Sequence, residues 1–193
     1  MRIVGGEYRG KQLALPEDNH IRPTADRTRE ALFNILGHSS DYRTEHGPLP
    51  LNASILDVFA GTGALGVEAL SRGAQHVTFM DNHGASLKLI KQNVAAIKAQ
   101  QRVSIFSRNG TVPGRASGPI DLVLMDPPYS QGLAIPSLIA LEAGGWIQKS
   151  TVIVIELAAK EKIEIPENFE VLDERKYGAA KLLFLRQASP EEE

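Results

Sequence analysis

Four adjacent residues, Asp126-Pro127-Pro128-Tyr129, carry the groups needed for a reaction at an exocyclic amine of a nucleobase. The lone pair of such a nitrogen is delocalised into the ring, so hydrogen-bond acceptors must draw on its N–H groups before it can attack. The Asp126 carboxylate and the Pro127 carbonyl could each accept one N–H group, and two prolines stiffen the turn. Tyr129 offers a flat face on which an extruded base can stack. Alone, the four residues also fit an ordinary buried turn.

A glycine turn earlier in the chain could bind a cofactor. Gly61-x-Gly63-x-x-Gly66 matches the dinucleotide fingerprint, and Asp57 precedes it within an apolar run of strand length. A nicotinamide cofactor would place a pyrophosphate at this turn, where Asp57 would repel it. S-adenosylmethionine has no phosphate, and Asp57 can attract the ammonium of its methionine end. These residues favour S-adenosylmethionine, although a tight strand-to-helix turn without a ligand stays open.

Polar residues also follow the next two predicted strands. Asp81 lies about twenty residues after the first glycine of the turn, where an acid can accept hydrogen bonds from both ribose hydroxyls. It could instead cap the following helix. Asn109 could contact the exocyclic amine of adenine, or Asn109-Gly110 could simply be a favoured turn pair. The chain has no cysteine and its five histidines are scattered, so we expect no metal site.

The elements that must position these residues alternate between strands and helices, which predicts an α/β fold with a mostly parallel sheet. The predicted parallel strands cover residues 55–59, 76–81, 102–107, 120–126 and 151–157. Residues 169–173 and 181–185 predict a terminal antiparallel pair, which brings the sheet to seven strands. Residues 2–15 predict a small hairpin and 25–36 a helix. We therefore expect an N-terminal hairpin and helix extension, 1–38, joined to a cofactor-binding domain, 39–193, in one compact body.

Composition limits the classes of protein to which the chain can belong. With 193 residues, 42% hydrophobic and 23% charged, it is typical of a globular domain without a membrane span. The N-terminus lacks a secretory signal, so we expect a cytoplasmic protein. The net charge of −2 implies that nucleic acid would have to bind a local patch. The first thirty positions hold a cluster of positive residues, including Arg22, Arg27 and Arg29, which could also form a mixed solvated surface.

The motifs together resemble the class I S-adenosylmethionine-dependent methyltransferases that act on exocyclic amines, and more closely the RsmD-type bacterial 16S ribosomal RNA guanine-N2 methyltransferases. Arg22-Pro23-Thr24 joined to the glycine turn is the specific part of the match. The other segments that carry the resemblance are Arg2-Ile3-Val4-Gly5-Gly6, Arg27 with the run from Arg29 to Leu36, the run from Asp57 to Leu70 with Ser71-Arg72-Gly73-Ala74, Asp126-Pro127-Pro128-Tyr129 and Tyr177-Gly178. Two departures occur: Asn82-His83 stands where many relatives have a basic residue, and Ala179-Ala180 where an acid is usual.

The resemblance implies a Rossmann-like class I methyltransferase fold and a role for each matched residue. Asp57, Gly61 and Gly63 would cradle the methionine end of S-adenosylmethionine, Asp81 the ribose and Asn109 the adenine. The predicted cofactor-binding set is completed by Thr24, Phe59 and Asn82. Asp126, Pro127 and Tyr129 would hold the guanine, while Arg22, Arg27 and Arg29 would meet RNA phosphate. The implied partner is 16S rRNA or the 30S ribosomal particle, with the protein acting as a monomer and without a metal.

Other functions remain open on the sequence alone. The same chemistry would serve a DNA or tRNA exocyclic-amine methyltransferase, although so short a chain shows no separate domain for reading a DNA site. A catalytically silent RNA-binding module could use the same fold. A nicotinamide-dependent dehydrogenase fits the glycine spacing and conflicts with Asp57.

Overall fold

The fold is built on a central sheet with helices on both faces. The computed structural model describes residues 1–16 and 25–188. Within these ranges the helices are α1 (Asp26–His38), α2 (Ala64–Ser71), α3 (Gly84–Ala96) and α4 (Ala134–Ala143). The strands are β1 (Arg43–Thr44), β2 (Gly47–Pro48), β3 (Ser54–Val58), β4 (His76–Asp81), β5 (Val103–Ser107), β6 (Leu122–Met125), β7 (Val152–Ala158), β8 (Phe169–Tyr177) and β9 (Ala180–Gln187). In this part of the chain, no helix has the length and apolar character needed to cross a membrane.

Seven of the described strands form one sheet in the order β5-β4-β3-β6-β7-β9-β8. The strands from β5 to β7 pair in parallel, and β9 runs antiparallel to both of its neighbours. This confirms the mostly parallel seven-stranded sheet with a terminal antiparallel strand. The chain order reverses between β3 and β6, and ligands of open α/β sheets bind beyond the carboxyl ends of the strands at such a point.

Apolar side chains cover both faces of the sheet. On one face Leu32 and Phe33 of α1 and Leu70 of α2 belong to one apolar cluster with residues of β3 and β6. On the other face α4 and Trp146 cover the same strands. The central strands β3 and β6 are buried on both faces, which is why they read as nearly continuous apolar runs.

Every residue of helix α2 is buried, so this helix must pack closely against its neighbours. A Cβ atom on Gly66 would lie 2.3 Å from the Phe79 ring, and one on Gly63 would lie 3.2 Å from the same ring. Gly63 also has φ of 76°, a left-handed conformation that favours glycine. Because Gly63 and Gly66 have no Cβ atom, the first turn of α2 can pack directly on β4.

The N-terminal residues form the predicted hairpin in a reduced form, with a single bridge between Arg2 and Gln12. This segment lies on α2, since the Glu7 N–H group donates to the Ser71 carbonyl at 2.7 Å. Ile3 belongs to the same apolar cluster as the sheet. The division of the chain at residue 38 stays a prediction.

The connection between α1 and β3 contains a small hairpin. Strands β1 and β2 form a two-stranded hairpin, in which Arg43 pairs with Pro48 and Thr44 with Gly47. Two-residue strands are too short to produce an alternating pattern, so no periodic signal marks them in the sequence. The hairpin is anchored beside Tyr42, whose ring stacks on Phe184 with 5.1 Å between centroids.

Candidate active site

A cleft of about 500 Å³ opens at the carboxyl ends of the parallel strands, where the strand order reverses. Eight of the predicted site residues come together there. Among those that the structure describes, the following line the cleft: Asp57, Phe59, Gly61, Asp81, Asn82, Asp126, Pro127 and Tyr129. Their individual roles stay predictions, but the structure brings the glycine turn and the diproline turn into one space.

Strand register explains why acidic residues collect in this cleft. Val58 pairs with Met80 on one side and Met125 on the other, and Met125 pairs with Ile155. The residues that follow these positions therefore form one row across four neighbouring strands, about 4.8 Å apart. That row consists of Asp81, Phe59, Asp126 and Glu156. The row therefore holds three carboxylates: Asp81 at the end of β4, Asp126 just after β6 and Glu156 on β7.

Asp57 adds a fourth carboxylate, which lies on β3 two residues before Phe59. Its side chain is 1% exposed, and its Oδ2 atom accepts a hydrogen bond from the Gly66 N–H group at 2.9 Å. Its Oδ1 atom is buried and accepts no hydrogen bond from any described residue. Burial raises the pKa of Asp57 well above its ordinary value; the Gly66 N–H group opposes this rise, and the charges of Asp126 and Asp81 add to it. A cation placed beside Oδ1 would satisfy this carboxylate, whereas a phosphate would be repelled.

Asp81 ties the glycine turn to the end of β4. Its Oδ2 atom accepts a hydrogen bond from the Gly61 N–H group at 2.9 Å, and its Oδ1 atom accepts one from the His83 N–H group at 2.8 Å. His83 is itself the N-cap position of α3, so Asp81 does not cap that helix as an N-cap side chain would. Each oxygen keeps a second lone pair, and the ribose contact stays a prediction.

Glu156 is a cleft residue that our sequence analysis missed. It lies on β7 with 6% of its surface exposed, and its Oε1 atom accepts a hydrogen bond from the Tyr129 hydroxyl at 2.8 Å. This bond fixes the phenol ring that we expect to stack on the base. A signal was available, because Glu156 is the one charged residue in an apolar strand, as Asp57 is in β3.

Two predicted cofactor residues lie outside the cleft lining. Asn109 is exposed, and its Oδ1 atom accepts hydrogen bonds from the Thr111 N–H and hydroxyl groups, both at 3.0 Å. This is the local turn that the sequence offered as the alternative, and the adenine contact stays a prediction. Gly63 shapes the turn through its packing on Phe79 and Ile90.

The expectation that Arg29 meets RNA phosphate is wrong. Its side chain is 0% exposed; its Nη2 atom donates to Asp26 Oδ1 at 2.7 Å and to the Arg2 carbonyl at 2.6 Å. Its Nε atom lies 3.5 Å from Oε2 of the equally buried Glu68 on α2. The sequence held the reason, because Arg29 occupies the first position of the helical stripe completed by Leu32, Phe33 and Leu36.

The other predicted arginines and Thr24 are placed differently. Arg27 is exposed on the outer face of α1, where it can meet a partner. Arg22 and Thr24 lie outside the described residues. Within residues 1–16 and 25–188, no group of three or more histidine, aspartate or glutamate side chains could hold a metal ion.

The sheet order, the single reversed strand and the acidic cleft beside a glycine turn define a Rossmann-like class I methyltransferase fold. The chain belongs to the family described as conserved hypothetical protein 95, whose family model matches residues 1–186. Its relatives identify this as the RsmD-type family that the sequence resembles.

Curated relatives match nearly the whole chain. Ribosomal RNA small subunit methyltransferase D of Escherichia coli (strain K12) is 34% identical over 193 residues, which is 99% of this chain and 92% of the relative. The protein of the same name from Haemophilus influenzae is 30% identical over 182 residues, 92% of this chain and 89% of its own. The solved structure of yhhF from Escherichia coli superposes with a TM-score of 0.82 at 30% identity and covers 97% of both chains.

Proposed function

We propose that this protein transfers a methyl group from S-adenosylmethionine to the exocyclic N2 amine of a guanine in small-subunit (16S) ribosomal RNA. The observation that carries the proposal is the cleft shared by Asp57, the glycine turn and the acceptors of the diproline turn. The names of the Escherichia coli and Haemophilus influenzae relatives, both small-subunit rRNA methyltransferases, support the substrate.

The residues around the glycine turn fit S-adenosylmethionine. The buried Oδ1 atom of Asp57, which accepts no hydrogen bond from any described residue, suits the ammonium of the methionine end. Asp81, already aligned by the Gly61 and His83 N–H groups, would accept from the ribose hydroxyls. When bound, the cofactor supplies a methyl group on a positively charged sulfur. The same carboxylates would oppose a pyrophosphate, which argues against a nicotinamide cofactor.

The residues on β6 and β7 would prepare the guanine. Asp126 and the Pro127 carbonyl accept the two N–H groups of the amine, so its lone pair is directed toward the methyl carbon. Tyr129 stacks on the base, with its ring held by the hydrogen bond to Glu156. The new N–C bond would form as the bond between the methyl carbon and sulfur breaks, which would leave S-adenosylhomocysteine as the second product. The nitrogen, positively charged at that stage, would lose one proton to either Asp126 or water.

The RNA contact would lie beside the cleft mouth on α1. Arg27 is exposed there, between Ala25 and Thr28, which both line the cleft. An arginine at this place can bind phosphate without entering the site. We propose that the substrate is the RNA or the 30S particle and that the protein acts as a cytoplasmic monomer.

A direct assay tests the function. The protein is incubated with methyl-labelled S-adenosylmethionine and 30S particles from a strain that lacks the homologous gene, and nucleosides are separated after digestion. We expect label in N2-methylguanosine. Asp126→Ala should lower the rate roughly 100-fold or more while cofactor affinity is retained. Absence of label in guanine, under conditions where calorimetry shows that S-adenosylhomocysteine binds, would refute the proposal.

A further inference from the structure

We infer that Glu156 selects the base: its carboxylate accepts the N1–H group of guanine and thereby rejects adenine and cytosine. This inference rests on the proposed function, because it names the residue that makes that site specific for guanine. Glu156 is 6% exposed, lines the cleft and stands outside every role that the sequence motifs imply.

Strand register places Glu156 beside the residue that would hold the reacting amine. Ile155 pairs with Met125, so Glu156 on β7 and Asp126 after β6 are next to one another on neighbouring parallel strands. Their side chains leave the same face of the sheet, with backbones about 4.8 Å apart. Two carboxylates therefore lie on neighbouring strands, one placed to meet the amine and the other an adjacent ring position.

The contact with Tyr129 fixes the direction of this acceptor. The Tyr129 hydroxyl donates to Oε1 of Glu156 at 2.8 Å, so the carboxylate lies at the edge of the ring that would stack on the base. A base lying flat on the phenol ring presents its hydrogen-bonding edge to groups around the ring, and Glu156 is one of those groups. A carboxylate has two oxygens with about four lone-pair sites, so a carboxylate that accepts from a tyrosine hydroxyl can also accept from a donor on the base.

The bases differ at the ring position that this carboxylate would meet. In guanine the N2 amine is flanked by N1–H, so donors stand at adjacent positions. In adenine and cytosine the exocyclic amine is flanked by an unprotonated ring nitrogen, which is an acceptor. An ionised carboxylate only accepts, so guanine would pair with both Asp126 and Glu156, whereas adenine would set two acceptors against each other. A site of this kind rejects the mismatched partner because a buried polar group is left unpaired.

Glu156 lies apart from the residues that would bind the cofactor. The glycine turn follows β3, and Asp81 ends β4. Both lie on one side of the switch point, the position between β3 and β6 where the strand order reverses. Glu156 lies on β7, beyond β6 on the other side. A change at Glu156 should therefore affect which base is methylated and leave cofactor affinity nearly constant.

The test uses two kinds of 30S particle, one with the natural target guanine and one with that guanine replaced by adenine. Glu156→Gln keeps the shape and adds an amide NH₂ group that can donate to N1 of adenine. We expect kcat/KM for the guanine particle to fall roughly 10- to 100-fold, as for one base-reading pair. The guanine-to-adenine ratio should fall at least as much, with the S-adenosylhomocysteine Kd within about twofold.

Glu161→Gln is the matched control. Glu161 lies shortly after β7, and its Oε2 atom accepts from the Ser130 N–H group at 3.4 Å, so the same charge is removed near the cleft. This variant should keep the guanine-to-adenine ratio of the unmodified protein. If Glu156→Gln also keeps that ratio while N2-methylguanosine is formed, the inference is overturned and the proposed function stands. If the unmodified protein methylates no guanine, the proposed function itself has failed.

A second measurement avoids any dependence on the folding of a variant. The unmodified protein is given particles reconstituted with rRNA that carries 2-aminopurine at the target position. This base keeps the N2 amine and lacks the N1–H group. We expect methylation at least tenfold slower than with guanine, and equal rates would overturn the inference.

Discussion

Replacing Arg29 by alanine should lower the free energy of unfolding of the protein instead of its affinity for RNA. Arg29 and Glu68 are both 0% exposed, and removal of one partner of a buried ion pair typically costs about 3–5 kcal/mol. Arg72 Nε also donates to Glu68 Oε1, at 2.8 Å, so part of the charge on Glu68 stays compensated. We therefore expect a loss near the lower end, about 3 kcal/mol.

Urea unfolding followed by circular dichroism measures this loss. With a slope of about 2 kcal/mol per molar urea, the midpoint should fall by roughly 1.5 M. Combining Arg29→Ala with Glu68→Gln should cost less than the sum of the single changes, because no uncompensated charge is then buried.

Arg27→Ala is the matched control on the same helix. It removes an exposed arginine and should change stability by no more than about 0.5 kcal/mol. It should lower affinity for RNA and reduce the slope of log K against log salt by about 1. A loss below about 1 kcal/mol for Arg29→Ala, together with a reduced salt slope, would refute the buried-pair reasoning, because those are the effects of an exposed phosphate contact.

Three further changes test the remaining parts of the site. Gly66→Ala would drive a methyl group into the Phe79 ring, and its urea midpoint should report a loss of about 1–3 kcal/mol. Asp57→Asn should weaken S-adenosylhomocysteine binding at least tenfold by calorimetry. Because the pKa of Asp57 is raised in the folded protein, its contribution to stability is present below its ordinary pKa and lost as the pH rises toward the raised one, so Asp57→Asn should stabilise the free protein at pH 7 and not at pH 3.5. Tyr129→Phe keeps the ring but loses the hydroxyl bond to Glu156, and kcat/KM should fall about tenfold with the cofactor Kd unchanged.

The sequence predicted the sheet well because its strands are buried on both faces. The strand β4 has the predicted bounds, His76–Asp81, because Gly73 stands shortly before it and Asp81 ends it. A buried parallel strand must be apolar throughout, so a single carboxylate at its end stands out. The same contrast located Asp57 and Asp126, which line one cleft in the structure.

The failures concern residues whose charge and position gave opposite signals. The charge of Arg29 and the resemblance both suggest an exposed contact with RNA, although its place in the apolar stripe of α1 indicates burial. Its partner Glu68 lies 39 positions further along the chain, so no local sequence pattern connects the two residues, and only the packing of α1 on α2 brings them together. Glu156 was overlooked because the cleft that gives it a role forms only when β6 and β7 pair.

The division of the cleft at the switch point bears on how such proteins diversify. Under the proposed function, residues at β3 and β4 would bind the methyl donor and residues at β6 and β7 would bind the base, so the two halves could change independently over evolutionary time. A few replacements near the end of β7 could redirect the molecule to a different base while the half that handles the donor is inherited intact.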